Sequence, residues 1–312
     1  MDVMNIELTE PMTPITCKDL PLGKVWGYQL KWDGVRILSD ISQDGQTINL
    51  YSRKLLLKNK VYPEILHMLA DTLTPEQTAG GLVLDGEAVV FDPEKQRPVF
   101  QLVLQRERTA SSLQVQQRYP VTYVLFDILY MNGEDLRNLA YAERHERLKQ
   151  LLPDRHPQCF VSDLFSDGKQ LWDWVCQQGW EGVVAKKLNS PYRPGKKHSD
   201  WYKKKTAIVL DVSIFGLTVR GGYVASLLMR HEQSYIGKVS LGLNREDKIR
   251  LMHYAQKTGE SDSPFQLLPA ELRKDKILWL AKPFPCRVTG LEMTSAGLLR
   301  HPKIVSFSLP DR

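Results

Sequence analysis

The eleven residues VTYVLFDILYM at 121–131 carry a single charge, Asp127. A run that short and that apolar reads as a β-strand buried on both faces. Other strand patterns surround it, at Val25–Lys31, Val35–Ile41, Thr47–Ser52, Leu82–Phe91 and in EGVVAKKL (181–188). The pairs Asp33-Gly34 and Asp44-Gly45 read as turns, since both residue types tolerate positive φ. On that reading, Val25–Lys31 and Val35–Ile41 form a hairpin. Gly86 lies inside a strand pattern and marks a bulge or a close backbone approach. Helical spacing predicts helices over 61–70, from PVFQLVLQRERTA (98–110), and over 138–152 and 168–178.

After Lys205 the pattern changes. Three strands follow with short turns, in AIVLDVSIFGLTV (207–219), GGYVASLLMRHE (221–232) and QSYIGKVSLGL (233–243). NREDKIRLMHYAQK (244–257) predicts one helix, N-capped by Asn244. Residues 257–282 read as irregular or loosely helical. PCRVTGLEMTSAG (285–297) and KIVSFSL (303–309) supply the last strands. Five strands with one helix fit a small barrel of oligonucleotide-binding type. The fold class expected is α+β, with a boundary between residues 1–205 and 206–312.

The net charge of +6 is concentrated in one place. Residues 186–205, KKLNSPYRPGKKHSDWYKKK, hold eight Lys or Arg and one Asp, whereas the remaining chain holds 34 basic and 35 acidic residues. Tyr192, Trp201 and Tyr202 are interleaved with those cations. A polyanion such as a phosphate backbone is the partner this stretch suits. Four scattered cysteines without a CxxC pair argue against a zinc ribbon and a disulfide framework. No apolar run approaches the ~18 residues of a membrane span. The first residues lack the basic and apolar regions of a signal peptide. A cytoplasmic, nucleoid-associated chain without a membrane partner is the expectation.

Five stretches mix charge or aromatics into strand patterns: KWDGVR (31–36), SRK (52–54), LDGE (84–87), FD (126–127) and EGVVAKK…WYKKK (181–205). Each alone has a bland reading. Lys31 could be a solvated residue beside a turn, Asp85 and Glu87 turn residues, Phe126 plain core, and Glu181 a partner for a nearby lysine.

In this order and spacing the five resemble the covalent nucleotidyltransferases, the family of ATP-dependent polynucleotide ligases and mRNA capping enzymes. KWDGVR is similar to the nucleotidyl-lysine motif, YSRK to motif Ia, LDGEAVVFD to motif III, YVLFDILYMNG to motif IIIa, EGVVAK to motif IV and WYKKK to motif V. LLRHPKIVSFSLPDR resembles an eroded motif VI. The strongest resemblance is to minimal bacterial or phage DNA ligases and to the ligase domain of bacterial end-joining proteins. It implies an antiparallel-sheet, ATP-grasp-like nucleotidyltransferase (adenylation) domain over 1–205, followed by a β-barrel OB-fold domain over 206–312.

The resemblance also implies roles. Lys31 is the nucleophile that takes AMP from ATP. An attacking lysine must be neutral, and its reference pKa is ~10.4. Partial burial and the cations Lys203, Lys205 and Mg²⁺ are expected to lower it. Gln29 stands where relatives often carry Glu against the adenine amino group, and Phe126 stacks on adenine. Glu87 serves the ribose or the metal site. Arg36 and Arg53 touch ribose or a 5′-phosphate. Lys186, Lys203 and Lys205 face phosphates, and Arg312 orients pyrophosphate. Asp85, Glu87 and Glu181 are the expected Mg²⁺ ligands, with Mn²⁺ as the alternative ion. Arg53, Lys187, Arg193, Lys196 and Lys197 are the expected DNA contacts. The expected substrate is nicked double-stranded DNA and the expected state a monomer, with end-joining or repair proteins as partners. The alternatives are an RNA ligase, a capping-type guanylyltransferase, or a non-catalytic nucleic-acid-binding protein.

Overall fold

A computed structural model describes residues 7–310 apart from residues 110, 154, 155 and 295. The chain divides into two compact units, residues 1–206 and 207–312.

The strands of the first unit are β1 (Thr13–Thr16), β2 (Trp26–Leu30), β3 (Val35–Ile41), β4 (Ile48–Ser52), β5 (Leu82–Asp92), β6 (Arg97–Pro98), β7 (Val121–Met131), β8 (Glu134–Asp135), β9 (Cys159–Val161), β10 (Gly182–Lys187) and β11 (Lys197–Lys205). Its helices are α1 (Pro63–Thr72), α2 (Pro75–Thr78), α3 (Phe100–Arg108), α4 (Leu113–Arg118), α5 (Tyr141–Leu151) and α6 (Gly168–Gln178). One sheet has the order β1-β11-β10-β2. The larger sheet runs β4-β3-β5-β7-β8, with β6 beside β5 and β9 beside β7. The expected all-antiparallel arrangement needs correction: β1 pairs with β11, and β7 with β9, in parallel, so both sheets are mixed.

The buried run at 121–131 is β7, an inner strand of the larger sheet. Its residues alternate between two cores, as the period of two requires. Tyr123 and Leu125 pack with Ile65, Leu69 and Leu148 of α1 and α5. Val124 packs with Trp32 and Val89, and Leu129 with Tyr192 and Trp201. The helices thus cover one face of this sheet and the smaller sheet lies over the other. On the smaller sheet, Val183 and Ala185 of β10 and Tyr28 of β2 pack beneath Leu171 and Val175 of α6. The alternate residues Gln29, Val184 and Lys186 are left for the opposite face.

The hairpin read at Asp33-Gly34 is not formed. β2 pairs with β10 in one sheet, whereas β3 pairs with β4 and β5 in the other. Asp33-Gly34 is a crossover between sheets. Gly34 lacks a positive φ; it is needed because a Cβ there would lie 2.2 Å from the Ala88 carbonyl oxygen. Asp33 Oδ2 accepts the Phe100 N–H (3.1 Å) at the first turn of α3, whose own N-cap residue Val99 supplies no side-chain cap. This crossover sets Lys31 and Arg36 on different sheets, facing one cleft. Gly86 matches its reading: a Cβ would meet the Tyr123 ring and the Val124 carbonyl at 2.7 Å.

The second unit contains β12 (Ile208–Arg220), β13 (Tyr223–His231), β14 (Ser234–Val239), α7 (Arg245–Thr258), β15 (Lys276–Gly290), β16 (Glu292–Met293), β17 (Leu299–Arg300) and β18 (Lys303–Phe307). Its main sheet has the order β14-β13-β12-β15-β18. A parallel bridge from Leu241 to Lys303 brings the chain after β14 to the β18 edge, so the two outer edges meet. Helix α7 opens with a capping box between Asn244 and Asp247, and it buries Leu251, Tyr254 and Ala255 in the core. Lys276–Lys282, the end of the stretch read as irregular or loosely helical, begins the long strand β15. The register of β15 against β12 shifts between Phe284 and Trp279, which places Pro283 in a bulge. Proline cannot donate to a ladder, so the proline pair broke the sequence pattern without ending the strand.

Candidate active site

A cleft of about 430 Å³ opens in the first unit, walled by residues of both sheets. β2 and the crossover after it contribute Gln29, Lys31 and Trp32, β3 gives Arg36, and β5 gives Glu87. β7 adds Phe126, β10 adds Lys186, and β11 adds Trp201 and Lys203. Seven of the residues singled out in the sequence therefore line one cavity: Gln29, Lys31, Arg36, Glu87, Phe126, Lys186 and Lys203. Arg53 joins them at the rim.

Lys31 Nζ donates to Glu181 Oε2 at 2.6 Å, and the other oxygen of Glu181 lies 3.0 Å from Lys205 Nζ. The register places these groups: β10 lies between β2 and β11, and Glu181 immediately precedes β10. Burial acts to lower the Lys31 pKa. The carboxylates of Glu181, Glu87 and Asp33 act the other way and prevail, so the ammonium form is favoured beyond its ordinary range. This overturns the expected lowering. The sequence reading counted nearby cations, but carboxylates surround the amine. Burial also raises Glu87 to about 7 and Asp33 to about 6, and in both cases Glu181 adds to the rise. Asp33, read from sequence as a turn residue, thus belongs to the electrostatics of the site.

Asp85 is placed differently from its expected role. It is fully buried, both of its oxygens accept from the Arg36 guanidinium, and Oδ2 also accepts from Tyr192 Oη (2.7 Å). It does not line the cleft, and its lone pairs are engaged in aiming Arg36 rather than facing a metal. Arg36 in turn lies over the Phe126 ring, 4.6 Å from its centroid. Asp85→Asn leaves a largely buried guanidinium without its counter-charge, an expected loss of about 3 kcal/mol of stability. Thermal unfolding reads that loss, and the Mg²⁺ concentration needed for activity should stay unchanged. A raised Mg²⁺ requirement with unaltered stability would restore Asp85 as a metal ligand.

Lys186 lines the cleft but is itself buried. Its ammonium donates to the Phe126 carbonyl (3.2 Å) and to Tyr141 Oη (3.3 Å), and the rings of Trp201, Tyr141 and Phe126 lie within 4.6 Å. Burial, the largest influence, drives it down to about 7, while the ring faces favour its charged form. Gln29 is buried, and its Nε2 donates to the Ser162 carbonyl (3.1 Å), which leaves its side-chain oxygen for a donor on a ligand. The same carbonyl is 2.9 Å from His145 Nε2, and Ser162 Oγ accepts from the Trp32 indole (3.0 Å). Ser162 and His145 escaped the sequence reading, and Tyr192 entered it only as an aromatic among cations; the partners of Ser162 at Gln29 and Trp32, and that of Tyr192 at Asp85, lie more than a hundred positions away.

The expected DNA contacts lie outside the cleft, apart from Arg53. Lys187 and Arg193 approach Asp200 at 3.9 and 3.6 Å, and Lys196 and Lys197 are exposed. Arg312 lies outside the described residues. Among the described residues, no group of three His, Cys, Asp or Glu side chains is placed to hold a metal unaided.

The ATP dependent DNA ligase domain family matches residues 10–205, well over half of the chain. The chain belongs to the ATP-dependent DNA ligase family. Among curated relatives of this family member, a multifunctional non-homologous end joining protein LigD of Pseudomonas aeruginosa is 32% identical over 88% of the chain and 32% of that protein. A DNA ligase of Thermococcus fumicolans is 29% identical over 78% of the chain and 47% of its own length. The chain therefore spans 32% and 47% of the length of these two relatives. The crystal structure of the ligase domain of M. tuberculosis LigD matches at TM-score 0.54 and 28% identity, covering 96% of this chain and 95% of that one. A mycobacterial DNA ligase D complexed with ATP and MES matches at TM-score 0.52 and 29% identity, covering 97% and 96%. In this chain the residues matched by the family fall in the first unit, which contains the cleft.

Proposed function

We propose that this chain seals 3′-hydroxyl/5′-phosphate nicks in duplex DNA, with residues 1–205 as adenylation domain and residues 206–312 as an OB-fold domain. The observation that carries this reading is the placement of Lys31. Its amine stands at a cleft to which six strands bring the rings of Phe126 and Trp201, the acceptors Gln29 and Glu87, and the cations Arg36, Lys186 and Lys203. The amine attacks the α-phosphorus of ATP, its proton leaves, the bond to the bridging oxygen breaks, and pyrophosphate departs with Lys31 joined to AMP. A nonbridging oxygen of the DNA 5′-phosphate then displaces Lys31, which takes up a proton. Finally the 3′-hydroxyl oxygen attacks the 5′-phosphorus, losing its proton, and AMP leaves.

Each residue has a part in this scheme. Glu181 orients Lys31 and is the nearest group to hold its proton. Lys203 and Lys205 offset phosphate charge, Phe126 packs on the base, Gln29 accepts from it, and Glu87 and Arg36 flank the ribose. The excess of carboxylates around Lys31 fits Mg²⁺, which Glu181 and Glu87 would hold. When bound, that ion neutralises charge on the reacting phosphates. The closed edges of the second unit support the OB-fold assignment, since barrels of this kind join their outer strands. Arg53, Lys187, Arg193, Lys196 and Lys197 are the proposed DNA contacts. No helix among the described residues is long and apolar enough to cross a membrane.

Nick sealing with ATP, followed as a function of salt, tests this reading. Ligation of DNA nicks is expected, with affinity falling steeply as salt rises, because phosphate contacts release counterions. Sealing only of RNA strands, or affinity independent of salt, would contradict it. The role of end-joining or repair partners, suggested by the LigD relatives, belongs to the same proposal.

A further inference from the structure

The rim of the cleft is formed by a tight hairpin, Ser52–Lys58, whose design the activity above does not explain. Leu55 N–H donates to the Ser52 carbonyl (2.8 Å) and Ser52 N–H to the Leu56 carbonyl (2.9 Å). The residue closing this three-residue loop takes the left-handed conformation, at φ +57°. Glycine is the residue such a position ordinarily carries, because a Cβ is strained there. Here it is leucine, and its side chain packs against the core cluster of Leu38, Val83 and Trp201. The returning strand is tied down as well: Lys58 Nζ is bonded to both oxygens of Glu107 (2.8 and 2.9 Å), which also accepts from Tyr62 Oη. Between the two anchors, Arg53 and Lys54 line the cleft mouth, exposed and without an ion-pair partner among the described residues.

We infer that Leu55 is a positioning residue that locks this hairpin, so that Arg53 and Lys54 hold a phosphate group at the cleft mouth. Strain is kept at a site where the surroundings over-determine it and a fixed geometry is used. Two side-by-side cations on a stiff turn suit a phosphate, because little rotamer freedom remains to be lost on binding. The inference rests on the ligase reading for the source of that phosphate. The 5′-phosphate of the nick is the expected one, since Arg53 and Lys54 are exposed at the rim whereas Lys31 is largely buried. The ATP phosphates are the other source. Leu55 itself touches no substrate.

The test compares wild type with Leu55→Gly, which keeps the backbone conformation and removes the anchor, and with Leu55→Met, which keeps an anchor. Binding is measured to nicked duplexes bearing a 5′-phosphate or a 5′-hydroxyl, alongside the KM for ATP in labelling of Lys31. The wild type is expected to prefer the phosphorylated nick by about tenfold, the worth of one charge-assisted contact. Leu55→Gly should bring that preference below about threefold with labelling within about twofold of wild type, and Leu55→Met should restore it. A rise in the KM for ATP with the nick preference intact would keep the lock and assign the phosphate to the nucleotide. If Leu55→Gly changes neither quantity, or if the wild type binds both nicks equally at an unaltered KM, the inference is overturned. Absence of label on wild-type Lys31 would instead sink the ligase reading, and the nick comparison would still decide the hairpin.

Discussion

Lys31→Ala is expected to abolish nick sealing and protein labelling by α-labelled ATP, each by at least about 10³-fold, as loss of a covalent nucleophile does. DNA affinity should change little, because Arg53, Lys187, Arg193, Lys196 and Lys197 remain. Two neighbouring amines are already engaged elsewhere and are poor substitutes. Lys186 is enclosed by three rings and bonded to the Phe126 carbonyl, and Lys205 is held by the far oxygen of Glu181. Wild-type labelling should also climb with pH into the alkaline range. Only the neutral amine attacks, and Glu181, Glu87 and Asp33 hold Lys31 in its charged form beyond the ordinary range, so the neutral fraction grows as pH rises. Continued sealing by Lys31→Ala, or labelling that falls as pH increases from neutrality, would remove Lys31 from this role.

Asp127→Ala is expected to cost about 3–5 kcal/mol of stability, which lowers the melting temperature by roughly 10 °C for a unit of this size. Asp127 and Arg144 are both fully buried and bonded through two contacts of 2.8 and 2.9 Å. Arg144 also donates to the Leu139 and Ser190 carbonyls. Deleting the carboxylate strands a cation in the core, next to the residue that supplies the Phe126 wall of the cleft. Activity should fall with stability, since Lys186 and Tyr141 both bond the Phe126 carbonyl. Replacing the pair together, as Asp127→Leu with Arg144→Met, should recover part of the loss, because no unpaired charge is then left buried. A double variant less stable than Asp127→Ala would contradict this account of the pair.

Much of the cleft was legible in the sequence because its residues interrupt apolar strand patterns. Glu87, Phe126 and Lys186 stand out against Val, Leu and Ala neighbours, and a charge inside a buried strand needs a reason. What was not legible depends on the third dimension. Asp33-Gly34 carries a strong local hairpin signal, yet its strands join different sheets, because the requirement on Gly34 comes from Ala88, 54 positions on. Asp85 looked like a free carboxylate since its partners, Arg36 and Tyr192, lie 49 and 107 positions away. The direction of the Lys31 shift was misread because sequence shows how many cations are nearby in the motifs, not that Glu181 sits at 2.6 Å. In the second unit, Asn244 announced its helix, whereas the prolines in β15 concealed a strand.

The most direct test of the central claim is to incubate the wild-type protein with α-labelled ATP or GTP and Mg²⁺, denature it, digest it and locate the label. Label from ATP on the peptide containing Lys31, released by acid as a phosphoramidate should be, is the predicted result. Label from GTP alone, label on a residue other than Lys31, or no covalent label from ATP would contradict it.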